Sequence, residues 1–216
     1  MDEMKTEKFL IAKGNSTLLV LNCPVGKRLE IAKEYLGKVE QVGFITKKKA
    51  FPKLVMMGNE LSINGTLALA STLGKQGILY TSGFAGPVTY RNVNGKTCIK
   101  LSLSFKKEGN LALFEGIGYK CIKEELRFSK GQLAKLAKKY HLPAFGIVIY
   151  KNNKIKPIVY VKDTNSLVEE TACGSGSIAI NIITGIKKIK QPTGETILVS
   201  KKNKVFEICA RVREAR

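Results

Sequence analysis

One stretch of this chain is written twice. Ser62-Ile-Asn-Gly-Thr-Leu-Ala-Leu-Ala-Ser-Thr-Leu-Gly74 opens on small polar residues, continues apolar and stops at glycine. Cys173-Gly-Ser-Gly-Ser-Ile-Ala-Ile-Asn-Ile-Ile-Thr-Gly185 does the same. Ser62 aligns with Cys173, Gly65 with Gly176, Ala68 with Ala179 and Gly74 with Gly185, each pair 111 positions apart in a chain of 216 residues. A helix that is apolar on every side is a buried one. Two amphipathic segments, 27–36 and 130–140, repeat at a similar offset, and Ser129 is placed to cap the second. Most of the remainder alternates or runs apolar with β-branched residues and turn punctuation such as Asn94-Gly95 and Asn152-Asn153. The strand segments include 9–22 (broken at Gly14-Asn15), 41–46, 53–57, 78–80, 87–93, 97–105, 112–119, 144–150, 154–161, 196–200 and 205–211. The pattern predicts an α+β fold of two pseudo-symmetric domains, 1–108 and 109–216. Each is expected to be a mostly antiparallel sheet wrapped around its central apolar helix.

The charge narrows the function classes. There are 37 Lys+Arg against 17 Asp+Glu, a formal net charge of +20, which invites a polyanion partner. The excess is spread evenly, however, with +9 before residue 109 and +11 after it. Only six of the basic residues are Arg, the residue suited to bidentate base and phosphate contacts, and no aromatics interleave with the short lysine runs. A generally basic surface is expected rather than a nucleic-acid interface. The hydrophobic fraction of 44% supports a real core and argues against a disordered polycation. Apolar runs fall well short of the roughly 18 residues of a membrane span. The start, MDEMKTEKFL, is acidic and lacks the apolar run of a secretory signal, so a cytoplasmic protein is expected.

Five cysteines at wide spacings, with no CxxC, argue against a disulfide framework or structural zinc, and no metal site is expected. Cys23, Cys98, Cys121 and Cys209 fall within or beside strand patterns and are expected to pack in the core. The lone His141 ends a lysine-rich helix, where a cation suits the helix C-terminus.

The two glycine-rich loops would meet where the halves face each other. Each opens a helix, so free N–H groups and the positive dipole end point at one place, a seat for a carboxylate. Gly174 and Gly176 would let the backbone come close to a ligand. The same field should lower the pKa of Cys173 and favour its thiolate.

Thr171-Ala-Cys-Gly-Ser-Gly-Ser177 resembles the second cysteine motif of the diaminopimelate epimerases and the related cofactor-independent amino-acid racemases. Gly14-Asn-Ser-Thr-Leu-Leu-Val20 resembles that family's N-terminal Gly-Asn loop. The nearest likeness is to the histidine racemases of staphylopine-type metallophore biosynthesis. It runs through Glu40-Gln-Val-Gly-Phe-Ile45, Val55-Met-Met-Gly-Asn-Glu60, Ile158-Val-Tyr-Val161, Ser166-Leu167 and Gln191-Pro-Thr-Gly194. The resemblance implies exchange of the α-proton of an amino acid, a histidine-like one, between two cysteines without a cofactor. Cys173 maps to one of them. Asn15, Glu40, Gln41, Asn64, Gly65, Glu169 or Glu170, Gly174 and Ser175 map to sites lining the substrate cleft. Diaminopimelate epimerases carry Glu-Arg eight or nine residues before the cysteine. Thr164 and Asn165 stand there in this chain, which argues against diaminopimelate.

At the other catalytic position the family has Cys-Gly-Asn, and this chain has Ser62-Ile63-Asn64. A serine without a base is a weak proton exchanger. Three outcomes stay open: a racemase or epimerase with Ser62 facing Cys173, a Ser/Cys dehydratase or isomerase of the same superfamily, or a non-catalytic basic ligand- or nucleic-acid-binding protein. The expected partner is a small amino acid, with no membrane; a homodimer is left open.

Overall fold

The computed structural model describes residues 3–123 and 128–215. In chain order its elements are β1 (Lys5–Ile11), β2 (Gly14–Leu21), a 3-10 turn (Val25–Lys27), α1 (Arg28–Tyr35), β3 (Gln41–Lys48), β4 (Phe51–Met56), α2 (Ile63–Thr72), β5 (Gln76–Thr81), β6 (Val88–Val93), β7 (Lys96–Ser102) and β8 (Phe105–Glu108). There follow β9 (Leu111–Phe114), β10 (Ile117–Ile122), α3 (Lys130–Lys139), β11 (Ala144–Lys151), β12 (Lys154–Val161), β13 (Ser166–Glu169), α4 (Gly174–Thr184), β14 (Lys188–Lys190), β15 (Thr196–Lys202), β16 (Val205–Ala210) and β17 (Val212–Glu214). The fold is a mixed, sheet-dominated α+β fold.

The ladder runs in the same order on both sides of residue 109. β1–β2 is antiparallel, β2–β3 parallel, β3–β4 antiparallel, β4–β5 parallel, and β5–β6–β7 antiparallel. β9–β10 is antiparallel, β10–β11 parallel, β11–β12 antiparallel, β12–β14 parallel, and β14–β15–β16 antiparallel. β7 and β16 then pair with each other. The strands that follow them cross over: β8 lies on β9, and β17 lies on β1. The parallel steps have helices between them, α1 and α3 after β2 and β10, α2 and α4 before β5 and β14, as parallel neighbours need a crossover.

The helices form for readable reasons. Ser129 accepts from Gln132 N–H while the Gln132 side chain accepts from Ser129 N–H, a capping box that starts α3. α3 buries Leu133 and Ala137 on Phe145, Ile147 and Ile149 of β11, and its lysines face water. The other face of β11, through Ala144 and Val148, joins the main core. β11 is therefore covered on both sides, which is why its sequence runs apolar rather than alternating. Ile63–Ala70 of α2 and Gly174–Ile182 of α4 are buried without interruption. α2 packs on β1, β2, β6 and β7, and α4 on β9, β10, β11 and β15. Asn94 and Gly95, with φ of 49° and 69°, make the tight β6–β7 turn.

Several expectations change. The break after β1 falls at Ala12-Lys13, both with positive φ, rather than at Gly14-Asn15. Segment 97–105 divides into β7 and β8, and 112–119 divides at Glu115-Gly116. β13, β14 and β17 have three or four residues each, too short for alternation to show in sequence. Cys98 and Cys209 are not free core residues: they form a disulfide. They sit opposite each other in the β7–β16 register, with Cα atoms 4.1 Å apart. Cys121 is buried as expected, and burial pushes its thiol up to about 12. His141 follows α3 on the surface.

Candidate active site

The first turns of α2 and α4 meet. Asn64 Oδ1 accepts from Gly174 N–H at 3.0 Å, and its Nδ2 donates to Ala172 O at 2.8 Å. A Cβ on Gly174 would fall 2.4 Å from Ile63 Cγ2, so only glycine permits this approach. Gly174 is thus spent on packing against α2, not on clearing space for a ligand, which corrects the expectation. Gly65 likewise packs on Met56 and Leu54.

Cys173 caps α4: its Sγ accepts from Gly176 N–H at 3.1 Å. Its own N–H donates to Gln191 Oε1 at 2.8 Å, and Gln191 Nε2 donates to Ser177 Oγ at 3.0 Å. The thiol lies 3.4 Å from the Tyr119 hydroxyl, which is 2.7 Å from Ser175 Oγ. Burial pushes the Cys173 thiol well above its ordinary range, and the Glu170 charge and hydrogen bond add to the shift. Tyr119 and Gly176 N–H pull the other way and lose. The expected depression of the Cys173 pKa is therefore overturned. The helix terminus is present, but burial beside a carboxyl favours the protonated thiol. Glu170 is itself pushed up to about 8, mainly by burial, with the charges of Glu40 and Glu60 contributing.

Ser62 caps α2 in the same way, its Oγ accepting from Gly65 N–H at 3.0 Å. The hydroxyl proton goes to Gln41 Oε1 at 2.6 Å. Gln41 Nε2 in turn donates to Asn15 Oδ1, which also accepts from Thr17 Oγ1 at 2.9 Å. Asn15 Nδ2 reaches both Glu40 Oε2 at 3.1 Å and Glu170 Oε1 at 3.2 Å. Glu40 also accepts from the Thr171 N–H and hydroxyl, and burial outweighs these bonds in raising its pKa.

One pocket gathers these groups. Its polar walls are Glu40, Gln41, Glu60, Ser62, Asn64, Tyr119, Glu170 and Ser175; its apolar walls include Met57, Ile117, Val159 and Val161. Of the residues chosen from sequence, Glu40, Gln41, Ser62, Asn64 and Ser175 line it. Asn15 is buried and bonded to the Glu40 and Glu170 carboxylates, Cys173 is buried in contact with Tyr119 and Ser175, and Gly65 and Gly174 sit within the helix turns. Glu169 is exposed on β13; the next residue, Glu170, is the one in the pocket. Sequence reasoning missed Tyr119 and Glu60. Each ended a segment already singled out for another reason, β-strand alternation and motif likeness, and neither pattern says which face is the site. No cluster of three or more metal-ligating side chains occurs among the described residues. No helix among them is long and apolar enough to cross a membrane.

Residues 117–210 match the family model of the histidine racemase CntK N-terminal domain. A histidine racemase of Fusobacterium nucleatum strain ATCC 25586 is 32% identical, over 82% of this chain and 78% of its own length. A second, from strain ATCC 23726, is 30% identical over 82% and 79%. The chain belongs to the histidine racemase family. It is an isomerase of the racemase class. The family's fold likeness reaches further than its sequence. A solved structure from Pseudomonas aeruginosa, described as a predicted epimerase, superposes with a TM-score of 0.64 at 8% identity, over 99% of this chain and 98% of that one. A Bacillus anthracis protein of the PhzF phenazine-biosynthesis family gives 0.62 at 12% identity, over 100% and 98%. Thr164 and Asn165, where diaminopimelate epimerases carry Glu-Arg, lie on the β12–β13 turn outside the pocket walls.

Proposed function

We propose that this racemase exchanges the α-proton of a histidine-like amino acid, without pyridoxal or another cofactor, in the pocket between the first turns of α2 and α4. The observation that carries the reading is the buried group of Cys173, Glu170, Tyr119 and Ser175 at the start of α4. Asn64 and Ile63 on α2 and Ser175 on α4 occupy first-turn positions, where helix geometry leaves N–H groups free for an anion. The substrate carboxylate and the negative charge developing beside it are seated there, which supplies the stabilisation a cofactor would otherwise give. The substrate ammonium goes to the carboxylates of Glu40 and Glu170, which line the pocket.

Cys173 is the group that exchanges the proton. Its thiol gives its proton to Glu170, the thiolate takes the α-proton from one face, and the Ser62 hydroxyl delivers a proton to the opposite face and is reprotonated from solvent; from the other enantiomer the steps run in reverse, and return of the proton by the Cys173 thiol gives exchange without inversion. Ser62 faces the opposite side of Cα and Gln41, Asn15, Glu40 and Asn64 hold the remaining geometry. The two-half organisation belongs to the same reading: domains 1–108 and 109–216, each around one of the buried helices. It is supported by the repeated ladder order, by the disulfide between Cys98 and Cys209, which also lie 111 apart, and by a model named for an N-terminal domain matching the second half. A soluble, cytoplasmic enzyme is part of the proposal.

The commitment of the Ser62 proton to Gln41 favours one second reading, a Ser/Cys isomerase that moves a proton on one face only. Incubating L- and D-histidine separately in heavy water separates the two. Inverted amino acid carrying deuterium at Cα is the result expected. Deuterium uptake without inversion supports the second reading, and absence of uptake from any amino acid overturns both.

A further inference from the structure

Glu60 is a pocket carboxylate that takes no part in the proton exchange. It is 4% exposed, lies two residues before Ser62, and lines the same pocket as Ser62. Its carboxylate curls back to the 57–58 turn, where Gly58 N–H donates to Oε2 at 2.9 Å. That turn abuts Val161: a Cβ on Gly58 would lie 2.3 Å from Val161 Cγ1. Glu60 therefore stands toward the Met57 and Val161 side of the pocket, and its charge reaches Glu170.

A buried carboxylate is costly unless it is paired. This chain has 37 basic residues, yet no Lys, Arg or His pairs with Glu60 among the described residues. Burial pushes it up to about 7, and the like charge of Asp163 adds to the shift. Glu40 and Glu170 are tied down by Asn15 and Thr171, whereas Glu60 has only backbone donors. The missing counter-charge is what a basic ligand would bring to the apolar-walled end of the pocket.

We propose that Glu60 receives the basic end of the substrate side chain and so selects amino acids whose side chains carry N–H groups that are, or readily become, cationic. This rests on the racemase reading for the position of Cα, but its test can stand apart. Binding of L-histidine, L-arginine, L-glutamine and L-methionine is measured by calorimetry on the wild-type chain, Glu60→Gln and Glu60→Asp, with the Cα deuterium rate and its KM for any that react. Loss of a charge-assisted bond predicts binding of the basic amino acids at least about tenfold weaker in Glu60→Gln. Glutamine and methionine should bind unchanged or better, Glu60→Asp should be intermediate, and the exchange defect with the basic amino acids should appear in KM more than in kcat. Equal losses for basic and neutral amino acids, a loss confined to kcat, or no change in Glu60→Gln overturns the proposal; if that variant does not fold, Glu60→Asp decides, with equal affinity to wild type as the contrary result. Basic-selective binding that depends on Glu60, with no deuterium exchange in the wild type, would sink the racemase reading and leave Glu60 its role. Absence of binding by any of the four overturns both.

Discussion

The starts of α2 and α4 are alike in backbone and unlike in chemistry. Ser62 and Cys173 both sit in extended conformation, and each accepts from the N–H three residues on. Around Ser62 the partner is an amide oxygen, Gln41 Oε1, which cannot hold the proton it is offered. Around Cys173 the partners are Glu170 and Tyr119, which titrate. A helix N-terminus supplies a positive field at both places, but a field does not supply a base. The neighbours decide whether a cap residue is also an acid–base residue. At Cys173 burial, with the Glu170 charge adding to it, outweighs the dipole, and the pKa goes up rather than down.

The largest effect should come from removing the titrating side. Cys173→Ala should lower Cα deuterium exchange by about 10³-fold or more, in line with loss of a positioned acid–base group; mass spectrometry of the recovered amino acid reads this directly. Glu170→Gln should cost less, about 10²-fold, because the thiol survives but loses the group that takes its proton. Adding chemistry to the inert side gives a smaller gain. Ser62→Cys should raise the inversion rate about tenfold, since a thiol exchanges protons where an alcohol does not. No gain would count against pairing Ser62 with Cys173.

The smallest effect is on stability. Glu60 is pushed up to about 7 and Glu170 to about 8, against about 4.5 for a free glutamate. A carboxyl whose folded pKa is raised stabilises the fold below its unfolded pKa, and that stability is lost as pH rises through the folded value. The melting temperature should therefore fall by several degrees between about pH 5 and pH 8. Glu170→Gln should flatten much of the fall, while Ser62→Ala should leave its slope unchanged and cost about 1 kcal/mol as a lost cap.

The repeat at Ser62 and Cys173 placed both buried helices correctly, because all-round apolarity and a small polar start are local signals. The amphipathic helices and longer strands were legible for the same reason. The pocket was only half legible. Glu40, Gln41 and Asn64 could be named by likeness, but Glu60 and Tyr119 depend on which way a side chain turns after its strand ends. Glu169 and Glu170 could not be told apart by likeness, because a single-residue register separates an exposed side chain from one that lines the pocket. The disulfide was readable in principle, as Cys98 and Cys209 carry the same offset as Ser62 and Cys173. Wide spacing concealed it, because the β7–β16 pairing that joins them is long-range.

Proton exchange belongs to the Cys173 side, and Ser62 does not match it. Initial rates of Cα deuterium uptake into unconverted L-histidine and unconverted D-histidine test it most directly. The account predicts that one enantiomer, whose α-proton faces Cys173, exchanges at least about tenfold faster than it inverts, while the other exchanges slowly. Equal uptake into both, keeping pace with inversion, would contradict it.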